Sequence, residues 1–254
     1  MKLLYDIEPD LYKCASGAEY EVEWSPDIWT YHCRITDAKT AINAEINRIQ
    51  KLAPNHELFL ALGDRTNYRY SVYPRYKSNR LKYRKPAGYL SLRDWIRKTW
   101  SCIELSNVEG DDVVGISCMP DDIIYSRDKD LRTIPGFHIN NEGDLEEISR
   151  WDADVAFYTQ VLTGDACDGY PGLKGCGPKM AAKILEGANT EYELWAKVNL
   201  AYAKAAGKDP ENTPSVLAMA RCARILRIGE YDKVNEKPLL WDPPMGLQLG
   251  DELD

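Results

Sequence analysis

The apolar residues in the first two-thirds of the chain fall into short runs, separated by stretches with helical periodicity. The run at 57–62 (Glu-Leu-Phe-Leu-Ala-Leu) is nearly continuous, which is typical of a strand buried on both faces of a parallel sheet. Isoleucines at 42, 46 and 49 recur at helical spacing and predict a helix over 36–52. The same analysis predicts further strands at 3–5, 102–105, 122–126 and 137–139, and further helices at 91–100 and up to about 118.

The pattern becomes helical from Trp151 onward. Helices are predicted at roughly 152–162, 178–186, 190–206 and 215–227, and the tail from residue 237 is expected to be loosely held. Strands that alternate with helices indicate an α/β fold with a mostly parallel, twisted central sheet flanked by helices. We therefore predict an α/β domain over 1–162 and a helical region over 163–254.

Acidic side chains follow four of the predicted strands directly. They are Asp6, Asp64, the cluster Glu109, Asp111 and Asp112, and the pair Asp128 and Asp130. Any one of them has an ordinary explanation, because loops after strands are polar and acids in the first turn of a helix offset its dipole. Four sets are harder to explain in that way, since ligands of such sheets bind beyond the carboxyl ends of the strands.

An oxygen-only donor set, with no His or Cys at metal-ligand spacing, fits Mg²⁺ or Mn²⁺ and not Zn²⁺. Carboxylates packed together repel one another unless a cation lies between them. Two such ions, about 4 Å apart, could activate a water and stabilise the leaving oxygen of a phosphodiester. Asp165 and Asp168 could complete the shell of the second ion. Nine carboxylates exceed what two ions bind directly, so some would act through water.

A basic segment contrasts with this acidic pattern. Residues 65–98 contain eleven Lys and Arg and one acid, for a charge of +10, while the whole chain carries −8. Such asymmetry suggests a polyanionic partner together with a cation site. Lys77, Arg80 and Arg84 would share one helical face, and Tyr76 and Tyr83 could stack on bases. The alternative is a solvated basic helix.

A second candidate contact to a polyanion is the segment 172–185. Gly175 and Gly177 would let the backbone approach a phosphate, and Pro178 suits the first position of a helix whose free amides point at the anion. Lys174 and Lys179 add positive charge. The segment resembles a helix-hairpin-helix, which binds phosphates without reading bases; the alternative is a tight helix–helix turn.

Six ordered motifs over residues 3–241 resemble the flap endonuclease and 5′-exonuclease family, and most of all the 5′-3′ exonucleases of short-tailed bacteriophages. They are Gly63-Asp64, Tyr-Pro-x-Tyr-Lys-x-Asn-Arg at 73–80, Glu-Gly-Asp-Asp at 109–112, Ser-x-Asp-Lys-Asp at 126–130, Gly-Asp-x-x-Asp at 164–168 and Gly-x-Gly-Pro-Lys at 175–179, together with Asp6. Two positions depart from the family pattern: Ile7 replaces the usual Gly after the first Asp, with Glu8 close by, and Gly169 follows the last Asp.

The resemblance implies a fold of the PIN and flap-endonuclease kind and a two-Mg²⁺ phosphodiesterase, in which Mn²⁺ would substitute. It implies activity on the 5′ ends and flaps of duplex or branched DNA, and on RNA:DNA hybrids as a further possibility, in phage replication or recombination. Asp6, Asp64, Glu109, Asp111, Asp112, Asp128 and Asp130 would serve the first ion, and Asp165 and Asp168 the second.

The resemblance also assigns the cations. Lys77 and Arg80 would lie on an arch or gateway segment (65–90) over the metals and polarise the scissile phosphate, with Tyr76 near the terminal nucleotide. Lys82 and Arg84 would add contacts to DNA. Lys174, Gly175, Gly177 and Lys179 would hold the duplex, with K⁺ bound at the hairpin in relatives.

Two other functions are compatible with parts of the sequence. One is a non-catalytic DNA-binding protein that keeps the helix-hairpin-helix, although the full set of acids argues against it. The other is a small-molecule phosphatase, since Asp6-x-Glu8 faintly resembles an aspartyl-phosphate loop, but this leaves the basic segment unexplained. Seven cysteines with no CxxC pair, no signal-peptide pattern and no long apolar run lead us to expect a cytoplasmic protein that has reduced thiols and no membrane contact. We also expect the protein to be a monomer.

Overall fold

The computed structural model describes residues 1–140 and 142–244 and divides into two compact units. The first unit comprises Met1–Asn67, Leu81–Ile148 and Ile225–Leu239. The second comprises Tyr68–Arg80, Ser149–Arg224 and the chain from Leu240. The main segment of the second unit thus begins at Ser149, and each unit is completed by segments that are distant in sequence.

The first unit is built on a mixed six-stranded sheet. Its strands, and those of the two small sheets, are β1 (Lys2–Asp6), β2 (Glu19–Ser25), β3 (Ile28–Cys33), β4 (Glu57–Leu62), β5 (Cys102–Glu104), β6 (Ile123–Tyr125), β7 (Gly136–Ile139), β8 (Leu145–Ile148), β9 (Tyr231–Asp232) and β10 (Lys237–Pro238). The order in the large sheet is β5-β4-β1-β6-β7-β8, parallel except for β8. The predicted α/β fold with a mostly parallel sheet is confirmed.

The seven helices predicted from hydrophobic periodicity form close to their expected bounds, and two further helices form within 8–17 and 69–72. They are α1 (Glu8–Gly17), α2 (Ile35–Gln50), α3 (Arg69–Val72), α4 (Tyr89–Thr99), α5 (Gly110–Ser117), α6 (Arg150–Thr163), α7 (Pro178–Leu185), α8 (Glu191–Ala206) and α9 (Val216–Ala223). On one face of the sheet, Ile42, Ile46 and Ile49 of α2 are fully buried among Leu3, Leu60 and their neighbours. On the other face, α5 contacts β1 and β4, and its Val113 and Val114 are fully buried. Burial on both faces explains why the central strands have no polar alternation.

Two local features differ from the predictions. Residues 10–35, where no helix or strand was predicted, form most of α1 and a separate antiparallel hairpin, β2–β3. The helix expected around Lys77, Arg80 and Arg84 does not form: residues 73–88 hold turns and one 3₁₀ turn, Ser78–Arg80, because Pro74, Pro86 and Gly88 interrupt the chain. Lys77 itself has a left-handed φ of 53°.

The second unit has its own core of helices α6 to α9. Phe157, Tyr158 and Val161 of α6 pack against Leu194 and Met219. Trp241, in the tail that was expected to be loosely held, is 7% exposed and meets Phe157 and Trp195 with ring centroids 5.4 Å apart. The rest of that tail, 245–254, lies outside the described residues. Within the described ranges, no helix has the length and apolarity to cross a membrane.

The stability of the first unit should depend on pH through His138. This side chain is buried in β7 with Nε2 2.9 Å from the Ile134 carbonyl, and burial lowers its pKa. Because the unfolded chain then takes up a proton that the folded chain resists, stability should fall as pH drops below about 6.5. Urea denaturation between pH 7.5 and 5.5 should show this slope flattened in His138→Gln. His32→Gln, in the separate hairpin, should keep the wild-type slope; equal slopes in all three proteins would contradict the prediction.

Candidate metal centre and nucleic-acid contacts

Four neighbouring strands of the first unit place acidic residues at one edge of the sheet. Asp6 ends β1, Gly63-Asp64 follows β4, Glu109 follows β5, and Asp128 follows β6. Since β5, β4, β1 and β6 are adjacent and parallel, their carboxyl ends lie side by side. The topology therefore delivers the predicted carboxylates to the predicted edge.

Asp6 lies deepest at this edge, with 5% of its surface exposed. Ser126 donates to its Oδ2 at 3.1 Å. Burial, followed by the negative charges of Glu8 and Asp128, raises the pKa of Asp6 to about 7. A cation bound beside Asp6 would relieve the repulsion between this carboxyl group and its acidic neighbours.

Asp64 is fixed in orientation by donors on its own loop and on the segment after β5. Its Oδ2 accepts from Thr66 Oγ1 at 2.6 Å and from the Asn107 amide at 2.8 Å. These hydrogen bonds lower the pKa of Asp64, and the bond from Thr66 contributes most. The Asp64 amide in turn donates to the Val108 carbonyl at 2.8 Å. Gly63 is required here, because a Cβ would lie 2.7 Å from the Gly110 nitrogen. The loops after β4 and β5 are thereby locked together.

The cluster at 109–112 begins helix α5 and divides into two roles. Glu109 is the N-cap and forms a reciprocal capping box with Asp112, whose Oδ2 accepts from the Glu109 amide at 3.1 Å. The other oxygen of Asp112 accepts from the Leu226 amide at 3.0 Å, and the side chain is 0% exposed. Glu109 and Asp111 remain half-buried at the edge. The ligand role predicted for Asp112 therefore does not fit its position, because its oxygens are engaged with backbone amides.

Asp128 and Asp130 lie on the loop after β6. Asp128 caps the 3₁₀ turn Lys129–Thr133 by accepting from the Asp130 amide at 2.9 Å. Its own amide donates at 3.0 Å to Ser126 Oγ, the hydroxyl that also donates to Asp6. Ser126 thus couples the ends of β1 and β6, a contact that the Ser-x-Asp-Lys-Asp spacing alone does not show.

Two further charged residues at this edge, Glu8 and Arg93, were not predicted as site residues, although Glu8 was noted beside Asp6. Arg93, on α4, is 5% exposed; it donates to the Gly63 carbonyl, and its Nε lies 3.5 Å from Glu8 Oε1. Burial, countered by Arg93 and reinforced by Glu109, raises the pKa of Glu8. A lone arginine beside the apolar positions Leu92 and Ile96 was the available signal. Arg93 places one buried positive charge behind the acidic edge.

In the second unit, the loop after α6 carries the remaining two predicted acids. Asp165 folds the loop by accepting from the Cys167 and Asp168 amides at 2.6 and 3.1 Å. Asp168 accepts from Tyr76 Oη at 2.7 Å and forms ion pairs with Lys77 at 3.5 Å and Arg80 at 2.5 Å. The structure therefore brings both predicted catalytic cations to one predicted metal ligand.

Two residues that were predicted to contact DNA, Tyr76 and Arg84, have side chains that are bound to other residues of the chain. Tyr76 is 2% exposed and stacks on Tyr170 at 6.2 Å, so its ring orients Asp168 and has no face free for a base. Arg84 forms a bidentate pair with Glu19 at 2.6 and 2.7 Å in the first unit. Both corrections have the same cause: tertiary partners occupy groups that the sequence leaves open. Lys82, which is also predicted to contact DNA, is exposed.

The predicted helix-hairpin-helix has the expected local geometry. Helix α6 is followed by the loop 164–177 and then by α7, with Gly177 as N-cap and Pro178 in the first turn. A Cβ at Gly175 or Gly177 would meet no atom within 4 Å, so the backbone there is accessible to a ligand. Lys174 is largely exposed and 3.6 Å from Asp209.

Across residues 1–140 and 142–244, no three His, Cys, Asp or Glu side chains are arranged to hold a metal ion as they stand. The chemistry of the edge still fits a hard cation. All of its donors are carboxylate oxygens, and after burial, which is the largest cause, the repulsion between them adds to the raised pKa of Asp6 and of Glu8.

No family model matches the chain. It is 28% identical to an exonuclease of Escherichia phage T7, over 95% of this chain and 93% of the relative. It is 27% identical to the flap endonuclease Xni of Shewanella sp. strain MR-4, over 68% of this chain and 73% of the relative.

The fold is similar to that of the bacteriophage T5 D15 flap endonuclease, in a structure solved as a pseudo-enzyme–product complex with DNA and metal ions. The TM-score is 0.50 with 15% identity, over 87% of this chain and 99% of the T5 protein. Together with the strand order, this confirms the predicted fold class. The comparisons also confirm the resemblance drawn from the motifs: the chain is a nuclease that is similar to phage exonucleases and bacterial flap endonucleases.

Proposed function

We propose that the protein is a metal-dependent 5′-3′ exonuclease and structure-specific 5′-flap endonuclease, which hydrolyses phosphodiester bonds of duplex or branched DNA during phage replication or recombination. The observation that carries the proposal is the convergence of acids from four parallel strands on one sheet edge. The exonuclease and flap endonuclease relatives support the reaction class. The complex of the T5 protein with DNA and metal ions supports the substrate and the cofactor.

In this proposal, Asp6, Asp64, Glu109, Asp111, Asp128 and Asp130 hold one Mg²⁺, while Asp165 and Asp168 hold a second. When bound, the ions would activate a water and stabilise the leaving oxygen. Asp112 holds the Glu109 turn and the Leu226 backbone, so that α5 presents Glu109 and Asp111 to the edge. Asp64 is oriented by Thr66 and the Asn107 amide before any ligand binds.

Lys77 and Arg80 are proposed to bind and polarise the scissile phosphate. Their present ion pairs with Asp168 place them beside a candidate metal ligand. The backbone contributes as well: the Lys77 amide donates to the Asp168 carbonyl at 2.7 Å, and Asn79 donates to the Ala166 carbonyl at 2.8 Å. The segment is thus anchored to the acidic loop by main-chain and side-chain bonds.

The hairpin around Gly175 and Gly177 is proposed to hold duplex phosphates. Open space at both glycines lets a phosphate approach the amides at the start of α7, and Lys174 and Lys179 add positive charge. By the family resemblance, K⁺ would bind at the same turn.

The proposal is tested by incubating the protein with 5′-labelled blunt duplex, 5′-flap and RNA:DNA hybrid substrates. We expect label to be released as short products from the duplex and flap with Mg²⁺ or Mn²⁺, and no release with EDTA. Release of label from the RNA:DNA hybrid decides whether RNA is also a substrate. Retained binding of all substrates without cleavage under any metal would instead support the non-catalytic DNA-binding alternative.

Lys77→Ala should slow cleavage roughly a hundredfold, because one donor to the developing phosphate charge is lost. Single-turnover rates on the 5′-flap substrate at saturating Mg²⁺ measure this effect. Lys98→Ala, which removes an exposed lysine from the end of α4, is the matched control and should cleave at the wild-type rate. An unchanged rate for Lys77→Ala would remove this residue from the proposed machinery.

A further inference from the structure

The β2–β3 hairpin takes no part in the proposed nuclease chemistry, yet it exposes large apolar side chains. Trp24 is 67% exposed, Ile28 57%, Trp29 51% and Tyr31 47%. The two strands pair only with each other in a sheet of their own. Exposed apolar surface rimmed by polar groups marks interaction sites on proteins.

The register of the hairpin separates its side chains by chemistry. Glu21 pairs with Tyr31 and Glu23 with Trp29, so these residues share one face with Glu19. We call this the acidic-aromatic face (Glu19, Glu21, Glu23, Trp29 and Tyr31). The opposite face carries no carboxylate: Tyr20, Val22, Thr30 and His32 lie there with Trp24, whose indole nitrogen donates to Thr30 Oγ1 at 2.7 Å.

The base of the acidic-aromatic face already binds a guanidinium from the same chain. Arg84 forms its bidentate pair with Glu19, and its Cζ lies 3.5 Å from the centre of the Tyr31 ring. The Ala87 amide also donates to Glu19 at 2.5 Å. A carboxylate and an aromatic ring together thus fix one planar cation here, the combination that suits arginine better than lysine.

The outer half of the face repeats this combination. Glu21 and Glu23 are exposed and flank Trp29, which is directly opposite Glu23. Directly opposite residues such as Glu23 and Trp29 have Cβ atoms about 5 Å apart, and diagonal neighbours such as Glu21 and Trp29 lie about 7–8 Å apart. Both distances are within reach of long side chains, so a cation over the Trp29 ring could contact both carboxylates. Among the described residues, neither Glu21 nor Glu23 forms an ion pair, and no cation lies over Trp29.

We propose that the outer acidic-aromatic face (Glu21, Glu23 and Trp29) docks an arginine side chain from a basic segment of a partner protein. The charge of the face favours a cationic partner and opposes a nucleic acid, since phosphates would meet two uncompensated carboxylates. Tryptophan and arginine are also among the residue types in which the energetic hot spots of protein interfaces are enriched. This interaction is separate from the nuclease activity and does not depend on it.

The test uses the full chain labelled with ¹⁵N on its tryptophan indoles and a capped Gly-Arg-Gly-Arg-Gly peptide as the probe. The Trp29 signal, assigned with Trp29→Phe, should shift saturably on titration, and the Trp24 signal should stay in place. A matched lysine peptide should bind several-fold more weakly, a glutamate peptide should cause no shift, and added salt should weaken the arginine complex.

The double variant Glu21→Gln/Glu23→Gln should bind the arginine peptide roughly tenfold more weakly, because its charge-assisted contacts are lost. Glu186→Gln/Glu211→Gln, which removes two exposed carboxylates elsewhere, should bind like wild type. Equal affinity in the first double variant, or no shift of Trp29, would overturn the proposal. So would a single-stranded oligonucleotide that shifts the hairpin tryptophans and binds the first double variant more tightly. Cleavage of duplex DNA should be unchanged in both double variants.

Discussion

Asp111→Asn should reduce the release of 5′-labelled products by roughly a thousandfold or more, because several kcal/mol of charge stabilisation in the transition state depend on the metal ligands. Asp111 is half-buried in the first turn of α5, beside the ends of β4 and β1. Asparagine keeps the oxygen that accepts from the Asp112 amide at 2.7 Å, so the turn should be preserved. Only the charge is removed.

The measurement is a single-turnover rate on 5′-flap DNA, combined with DNA affinity in Ca²⁺ and with urea denaturation. We expect affinity within a few-fold of wild type and unchanged stability. Asp121→Asn is the matched control, since Asp121 is exposed just before β6, at the end of that strand opposite the acidic edge. Wild-type cleavage by Asp111→Asn would exclude Asp111 from the metal centre.

The substitution of the next residue, Asp112, by asparagine should instead lower the stability of the protein. Asp112→Asn is expected to lower the free energy of unfolding by about 2–4 kcal/mol. The reason is that the side-chain NH₂ of asparagine replaces one carboxylate oxygen, and a buried backbone N–H then has no acceptor. The substitution would remove the acceptor of one of two hydrogen bonds, either that from the Glu109 amide in the capping box or that from the Leu226 amide. The segment Ile225–Leu239 belongs to the first unit and would lose one of its anchors.

Urea denaturation of Asp112→Asn, Asp111→Asn and Asp121→Asn at pH 7.5 measures the difference. Only Asp112→Asn should shift the transition midpoint markedly. If all three unfold together, the Leu226 contact contributes little. If Asp112→Asn instead loses cleavage with full stability, Asp112 acts as a ligand, as the family resemblance implies.

The strand pattern could be predicted because it depends on local features. The run 57–62 forms β4 at the predicted bounds, and the acids that follow β1, β4, β5 and β6 lie at one edge because those strands are parallel neighbours. The hairpin was missed although its signal was present: Glu19 to Trp24 alternate charged and apolar residues with the period of a strand. Trp241 is the opposite case. Nothing near it in a proline-rich tail indicates that it is buried against Phe157.

The sequence by itself determined the α/β pattern, the positions of the acids after the strands, and the motifs that resemble the 5′-nucleases. These features follow from the order and spacing of residues within a few turns of chain. Only the tertiary structure decided how individual side chains are used: Asp112 is bound to Leu226, Tyr76 is buried against Asp168, and Arg84 pairs with Glu19. The partners of these residues lie 65 to 114 positions away in the chain, and contacts at such separations are fixed by packing.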